Sequence, residues 1–349
     1  MVAVTLRENA ARRKVCLSTP DQANITPVTE RENPLSKTIV LRCLFAGLLL
    51  APAAACATVP DAPPQIVLPG ERLFPESITS DAAGHIYIGS NPGTIYRARA
   101  GDSVANPWIV PDAANGLATV FGVLVDEGRG LLWVCSNPRQ GQQGGAPAIK
   151  TFRLTDGALV RSYRLAVEGP AMCNDMTVAP NGDVYASETL GGRILKLENG
   201  GTAFTEWARD PEFASADGIV WGGDGQLYMN AIQRNNLVRA NHDAAGSFTS
   251  ATVLTPSRPM GGPDGLRALG GNRFLQSEGN AGLITLVTIE GDRAEITTLA
   301  EGVDYASAVT AVGGRAFYPE GKLRFMFGPQ AGQDPGPFVV RNVAIPEGQ

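Results

Sequence analysis

Met176-Thr-Val-Ala-Pro-Asn-Gly182-Asp-Val-Tyr185-Ala-Ser187, continued by Gly192-Arg-Ile-Leu-Lys-Leu197, states most clearly the pattern that decides the fold. An apolar strand runs into an Asn-Gly turn, a second strand carries an aromatic, and a third strand alternates. Asn-Gly supplies the positive φ that a tight hairpin needs. The same pattern occurs upstream as Ile78-Thr-Ser-Asp-Ala-Ala-Gly84-His-Ile-Tyr87 with Gly93-Thr-Ile-Tyr-Arg97, and downstream as Ile219-Val-Trp-Gly-Gly-Asp-Gly225-Gln-Leu-Tyr228 with Asn236-Leu-Val-Arg239. Three fainter copies complete the series. One runs from Val123 through Trp133 to Leu154, interrupted by a Gly/Gln-rich loop at 139–145. Another runs from Leu266 through Phe274 to Leu286. The last runs from Val309 through Phe317 to Leu323-Arg-Phe-Met-Phe327 and Phe338-Val-Val340. A period of roughly 45 residues marks propeller blades, small sheets that bury both faces only by stacking on neighbours. The chain therefore reads as an all-β, six-bladed β-propeller. The segment Gln65-Ile-Val-Leu68 serves as an N-terminal strand that joins the last blade and closes the ring, removing exposed sheet edges.

Composition agrees. With 41 Gly, 25 Pro and 18% charged residues in 349, long amphipathic helices are disfavoured and many turns are expected. Residues 1–56 carry seven Lys/Arg against four Asp/Glu, so the −5 of the whole chain leaves −8 on residues 57–349. An acidic body speaks against nucleic acid as a partner, because phosphate binding needs clustered Lys and Arg.

Residues 1–57 read as an N-terminal extension and export signal, and residues 58–349 as the propeller. Lys37 and Arg42 flank the short apolar run Cys43-Leu-Phe-Ala-Gly-Leu-Leu-Leu50, and Ala51-Pro-Ala-Ala-Ala-Cys56-Ala57 follows. That is the order of a secretory signal, and it is shorter than the ~20 apolar residues of a membrane span. Cys56 after three alanines also fits a lipoprotein site. Ordinary cleavage near Ala55 or Ala57 stays open beside it. The expected location is the periplasm or, through a lipid on Cys56, the membrane face of a bacterial envelope. Cys135 and Cys173, both in apolar strands, read as two separate buried thiols and lack the paired spacing of a zinc site.

The repeat also measures. Eleven residues before the aromatic of the second strand lies the mouth of the first strand. From Tyr87, Tyr185 and Tyr228 the count reaches Glu76, Asn174 and Asp217. From Phe274 it reaches Pro263, beside Asp264, which reads as a turn one residue shorter. Trp133 leads to Gly122, and Phe317 to Ala306 beside Ser307. Asp-Gly and Asn-Asp taken singly are turn formers. Four polar residues in register argue instead for one cluster at a channel mouth, where carboxylates without a basic partner need a cation. Hard oxygen donors suit calcium first, with manganese, magnesium or zinc as alternatives.

These motifs, Pro75-Glu76-Ser77, Cys173-Asn174-Asp175-Met176, Ala216-Asp217-Gly218-Ile219 and Gly262-Pro263-Asp264-Gly265-Leu266, resemble those of the senescence marker protein, gluconolactonase and luciferin-regenerating enzyme family of six-bladed propellers. The resemblance spans residues 64–346. It implies a divalent metal held by Glu76, Asn174, Asp217 and Asp264. The chain departs from the family in Ser77-Ile78 after the Glu, in Asp217 where the family has Asn, and in Ala171-Met172-Cys173, which lacks the substrate-binding Arg of aldonolactone-cleaving members. The pocket is therefore expected to prefer something less polar than a sugar-acid lactone. His85 and His242 lie at turns, which speaks against a Ser-His-Asp triad, a His-based zinc site and the histidine pair of paraoxonase-like propellers.

Two readings of function follow. The first is a metal-dependent hydrolase of a lactone or related ester, with Asp264 or Asp175 taking the proton from water. Residues 115–121, 139–145 and 230–236 are its candidate pocket walls. The second is a non-catalytic propeller that binds a ligand or protein around a structural metal.

Overall fold

The computed structural model describes residues 65–139 and 145–347. The export signal and Cys56 lie outside the described residues, as does most of the 139–145 loop. Six sheets form the ring. Blades one to four begin with the strands Pro75–Ser80, Thr119–Asp126, Cys173–Val178 and Ala216–Trp221, each followed by three antiparallel strands. Blade five begins with Pro263–Gly270 and carries a short parallel fifth strand, Thr255–Pro256, on its outer edge. Blade six combines Thr310–Val312, Arg315–Pro319 and Phe338–Ala344 with Gln65–Leu68, which pairs antiparallel from Gln65↔Arg341 to Leu68↔Phe338. The N-terminal strand thus closes the ring. Among the described residues no helix is long and apolar enough to cross a membrane.

The hairpins follow from the turn residues. Gly182 and Gly225 take φ of 87° and 76°, a region that β-carbons disfavour. The apolar faces then meet in six clusters, one for each seam between blades. Tyr87 fills the seam between blades one and two, Trp133 the next, then Tyr185 and Tyr228 in turn. These aromatics also fasten their own hairpins. Tyr87 Oη donates to Asp81 at 2.9 Å, Trp133 Nε1 to Asp126 at 3.1 Å, and Tyr228 Oη to Asp224 at 2.6 Å. Tyr228→Phe is accordingly expected to lower stability by about 1 kcal/mol, read as a fall in the denaturant midpoint. An unchanged midpoint would show that Asp224 does as well with water.

Three expectations are corrected here. In blade five the marker residue is Leu275, not Phe274. Leu275 occupies the seam toward blade six, whereas Phe274 faces back against Tyr228. Counting eleven back from Leu275 gives Asp264, so this blade has no shortened turn; alternation on a strand sends neighbouring side chains to opposite faces. In blade six, Leu323–Phe325 is a 3-10 turn inside a long connection, and not a strand. Lys322 before it is left-handed with φ 53°, which breaks the extended run. Finally, Cys135 and Cys173 form a disulfide. They sit on strands of blades two and three that face one seam, with Cα atoms 5.4 Å apart, inside the span that a disulfide bridges.

Candidate metal centre

In five blades the first strand breaks register at its mouth. The breaks fall between Pro75 and Ser77, Val120 and Val123, Cys173 and Met176, Ala216 and Ile219, and Pro263 and Leu266. A bulge takes a residue out of the ladder and re-aims its side chain. Glu76, Gly122, Asn174, Asp217 and Asp264 each lie within one of these breaks. They line one space together with Asp175, Arg267 and Ser307. Its volume is about 10 Å³, room for a single ion or water. Gly122 contributes no side chain for a steric reason: a β-carbon there would lie 2.3 Å from the Asn174 carbonyl oxygen.

The structure therefore brings together every residue singled out by the repeat. Asn174, Asp217 and Asp264 are buried at 7%, 6% and 4% exposure, while Glu76 keeps slightly more solvent contact. Asn174 Nδ2 donates to Asp217 Oδ2 at 2.8 Å and to Thr189 Oγ1 at 3.1 Å. The Thr189 hydroxyl is itself a donor to the Ala216 carbonyl at 2.7 Å, so it must accept from Asn174. This fixes the amide orientation and leaves Asn174 Oδ1 free as an oxygen donor.

Asp175 is held differently. Arg267 grips it through both nitrogens, Nη1 to Oδ2 at 2.5 Å and Nη2 to Oδ1 at 3.0 Å. Arg267 also donates to the carbonyls of Leu266 and Val123 at 2.9 and 3.2 Å. The cluster thus has a basic partner that the repeat did not indicate. That partner neutralises Asp175 and leaves Glu76, Asp217 and Asp264 uncompensated.

Electrostatics reflect the imbalance. Burial, with the Asp217 charge added, pushes Glu76 up to about 8. Burial pushes Asp217 up to about 7, with Asp175 adding to the rise and hydrogen bonds from Asp264, Asn174 and the Gly218 N–H opposing it. Asp264 rises well above the usual carboxylate range through burial and the charges of Asp217 and Glu76. Asp217 and Asp264 act on one another directly, the contact opposing the rise of Asp217 and adding to that of Asp264. Among the described residues, no three Asp, Glu, His or Cys side chains stand ready to hold a metal ion without adjustment. The donor chemistry nonetheless fits a hard divalent cation: three carboxyls and one free amide oxygen line a space of one ion, and a cation among them would relieve the mutual repulsion that raises the carboxyls.

Backbone strain gathers at the same rim. Among the described residues, six non-glycine residues are left-handed: Arg72, Phe74, Ser215, Asn235, Tyr305 and Lys322. Arg72 and Phe74 lead into Glu76, Ser215 into Asp217, and Tyr305 into Ser307. Asn235 accepts the Gly262 N–H at 2.7 Å just before Asp264, and the Lys322 N–H donates to Asp304 beside Tyr305 at 2.9 Å. Strain of this kind persists where surrounding structure over-determines it, and it clusters at functional sites.

Several supporting contacts escaped the sequence reading, which placed Asn230 only as part of a pocket wall. Ser187 Oγ accepts the Asp175 N–H at 3.0 Å and Ser277 Oγ the Gly265 N–H at 2.9 Å, pinning two of the bulges. Asn230 Nδ2 donates to the Asp264 carbonyl at 2.8 Å. Each of these three lies two residues beyond the seam residue of its second strand, Tyr185, Leu275 and Tyr228. That offset was the available signal. Of the candidate walls, 230–236 does reach the site through Asn230 and Asn235, whereas Asn115 is occupied in capping its own loop with Asp112. His85 pairs with Asp81, and His242 bonds backbone carbonyls of Gly225 and Asp243; neither lines the space.

Fold and site together define a six-bladed propeller with an acidic cluster at one channel mouth. The model of the strictosidine synthase-like N-terminal family matches residues 64–98. No curated protein matches the chain. Among solved structures, a luciferin-regenerating enzyme is similar at a TM-score of 0.59 and 14% identity, covering 80% of this chain and 95% of its own. A gluconolactonase of Xanthomonas campestris is similar at 0.55 and 16%, covering 78% and 87%. Virginiamycin B lyase of Staphylococcus aureus is similar at 0.53 and 15%, covering 80% and 98%. These likenesses establish the shared propeller fold.

Proposed function

We propose that the protein is a divalent-cation-dependent hydrolase of lactones or related esters. One observation carries this reading: Glu76, Asp217 and Asp264 converge on a space the size of one ion, whose one basic lining residue among those described, Arg267, is engaged with Asp175. The gluconolactonase among the similar structures supports the substrate class. Glu76, Asn174, Asp217 and Asp264 would hold the cation, which would supply Lewis acidity toward an ester carbonyl and a water. Calcium suits the oxygen donors best, with manganese, magnesium and zinc as alternatives.

The chain's own groups do the rest. Asp264 is the carboxylate that takes the proton from the attacking water. Asp264 is favoured over Asp175 for that role, since both oxygens of Asp175 accept from Arg267. Water adds to the carbonyl carbon, the bond to the leaving oxygen breaks, and Asp264 returns the proton to that oxygen. The small space admits no substrate atoms beyond a single ion or water, so the ester must dock above it. Beside it, between blades three and four, a cleft of about 620 Å³ is lined by Thr189, Leu190, Pro211, Ala214, Ser215 and Gln233. Thr189 links this cleft to Asn174, and its mixed lining suits the non-reacting part of a moderately apolar ester.

The similar lyase works otherwise: an exchange of histidine for alanine makes it catalytically inactive. Neither His85 nor His242 lines this site, which favours hydrolysis without a histidine. The test is protein stripped of cations, reloaded with calcium, manganese or zinc, and assayed on a panel of lactones and esters. Cation-dependent turnover is expected, with Asp264→Ala reducing it by at least roughly 100-fold while circular dichroism stays unchanged. A cation-loaded protein inert on every ester would instead support the non-catalytic binding propeller.

We further propose export to an oxidising envelope compartment, with Cys56 lipidated or removed with the signal. The Cys135–Cys173 disulfide supports this, since such bonds persist in oxidising compartments. Mass spectrometry of the mature N-terminus checks it. A retained Met1 on the envelope-purified protein would contradict it.

A further inference from the structure

Arg267 reaches across the channel from the first strand of blade five, Pro263–Gly270. Its guanidinium meets four oxygens supplied by blades two, three and five. Nη1 donates to Asp175 Oδ2 at 2.5 Å and to the Leu266 carbonyl at 2.9 Å. Nη2 donates to Asp175 Oδ1 at 3.0 Å and to the Val123 carbonyl at 3.2 Å. The ion pair is sequestered, its two side chains 12% and 6% exposed. Buried Nε makes no hydrogen bond, so the four oxygens converge on the outer end of the guanidinium alone. Arg267 also lines two spaces at once. One is the ion-sized space of the acidic cluster. The other, further along the first strands, is a channel of about 390 Å³ with Thr79, Ser80, Thr177 and Thr310 in its wall. Among the described residues lining either space, Arg267 is the only basic one.

Two carboxylate oxygens and two backbone carbonyls are a donor set that a hard divalent cation takes. Here a guanidinium satisfies them, and that group stays charged at every working pH. We infer that Arg267 is a built-in cation, a positioning residue that limits the channel to one metal ion. It holds Asp175 apart from Glu76, Asn174, Asp217 and Asp264, although Asp175 follows Asn174 directly and lines the same space. The inference rests on the cation reading of the preceding section, and it accounts for a fourth carboxylate beside the first ion. Without the guanidinium, Asp175 is a buried charge with no partner, a strongly destabilising arrangement. A second ion entering from the mouth would then take the vacated place.

The test is native mass spectrometry of full-length protein, stripped of cations and titrated with calcium. It compares wild type, Arg267→Ala, and Arg267→Ala combined with Asp175→Asn. One bound calcium is expected in wild type and two in Arg267→Ala. The double variant should return to one, because the charge that calls for the second ion is gone. Without cation, Arg267→Ala should melt below both wild type and the double variant, and calcium should raise its melting temperature most. Should Arg267→Ala be unfolded without cation, calcium is expected to refold it, and failure to refold would overturn the role of Arg267. A folded Arg267→Ala with one calcium or none, or a double variant with two, would overturn it equally while leaving the cation reading of wild type intact. A wild type that binds no calcium, manganese, magnesium or zinc would overturn both.

Discussion

Replacing Asp217 by Asn is expected to stabilise the cation-free protein at pH 8 and to weaken, without abolishing, its stabilisation by divalent cations, since an amide oxygen remains at the position. The two effects have one cause. Glu76 and Asp217 are pushed up to about 8 and about 7, and Asp264 is raised as well. A carboxyl whose folded pKa is raised contributes stability that is fully present below its unfolded value, near 4, and lost as pH rises through the folded value. The cation-free wild type should therefore melt at progressively lower temperature between about pH 5 and pH 8. Asn at 217 removes one of the repelling charges while still accepting from Asn174 Nδ2. The displacement of Asp217 alone corresponds to on the order of 4 kcal/mol. Because repulsion between Glu76 and Asp264 persists, a gain on the order of 2 kcal/mol is expected at pH 8. Chemical unfolding at pH 5 and pH 8, with and without calcium, reads all of this. A variant less stable than wild type at pH 8 without cation would contradict the charge argument.

Loss of the disulfide is expected to have the largest effect on stability. Cys135 and Cys173 enclose a separation of 38 residues, for which loop-closure entropy gives about 4 kcal/mol. The paired Cys135→Ser and Cys173→Ser variant should melt roughly 10 °C lower. The bond also bears on the site, since Cys173 directly precedes Asn174. Asn137 adds a second clamp: its Nδ2 donates to the Cys173 carbonyl at 2.8 Å, and its Oδ1 accepts the Cys173 N–H at 3.0 Å. The serine variant should therefore keep its fold and its cation site, on a less stable frame. Equal melting temperatures for the oxidised wild type and the variant would show that the bond adds nothing.

Much of this protein is legible in its sequence because the repeat makes each blade a control for the others. Asn-Gly and Asp-Gly turns and the recurring aromatics place the strands, and the fixed offset from Tyr87, Tyr185 and Tyr228 reaches Glu76, Asn174 and Asp217. What the sequence conceals has a common character: it depends on which face a strand residue takes, or on contacts between blades. Phe274 is the more conspicuous residue, but Leu275 occupies the seam, and one step along a strand reverses the face. Cys135 and Cys173 look independent at their separation and meet only because neighbouring blades stack. Arg267 reads as an ordinary polar residue on a strand that continues from Pro-Asp-Gly. Only the closed ring brings it across to Asp175. Tyr305 follows Gly302 and Asp304 in a loop, and those turn residues do not announce that the aromatic itself is left-handed.

The central claim is that this channel mouth holds one divalent cation. Calcium titration of the stripped protein, followed by native mass spectrometry, tests it most directly. The account predicts one bound ion per chain in wild type and none in folded Asp264→Ala. A wild type that takes up no calcium, manganese, magnesium or zinc, or an Asp264→Ala variant that binds as wild type does, would contradict it.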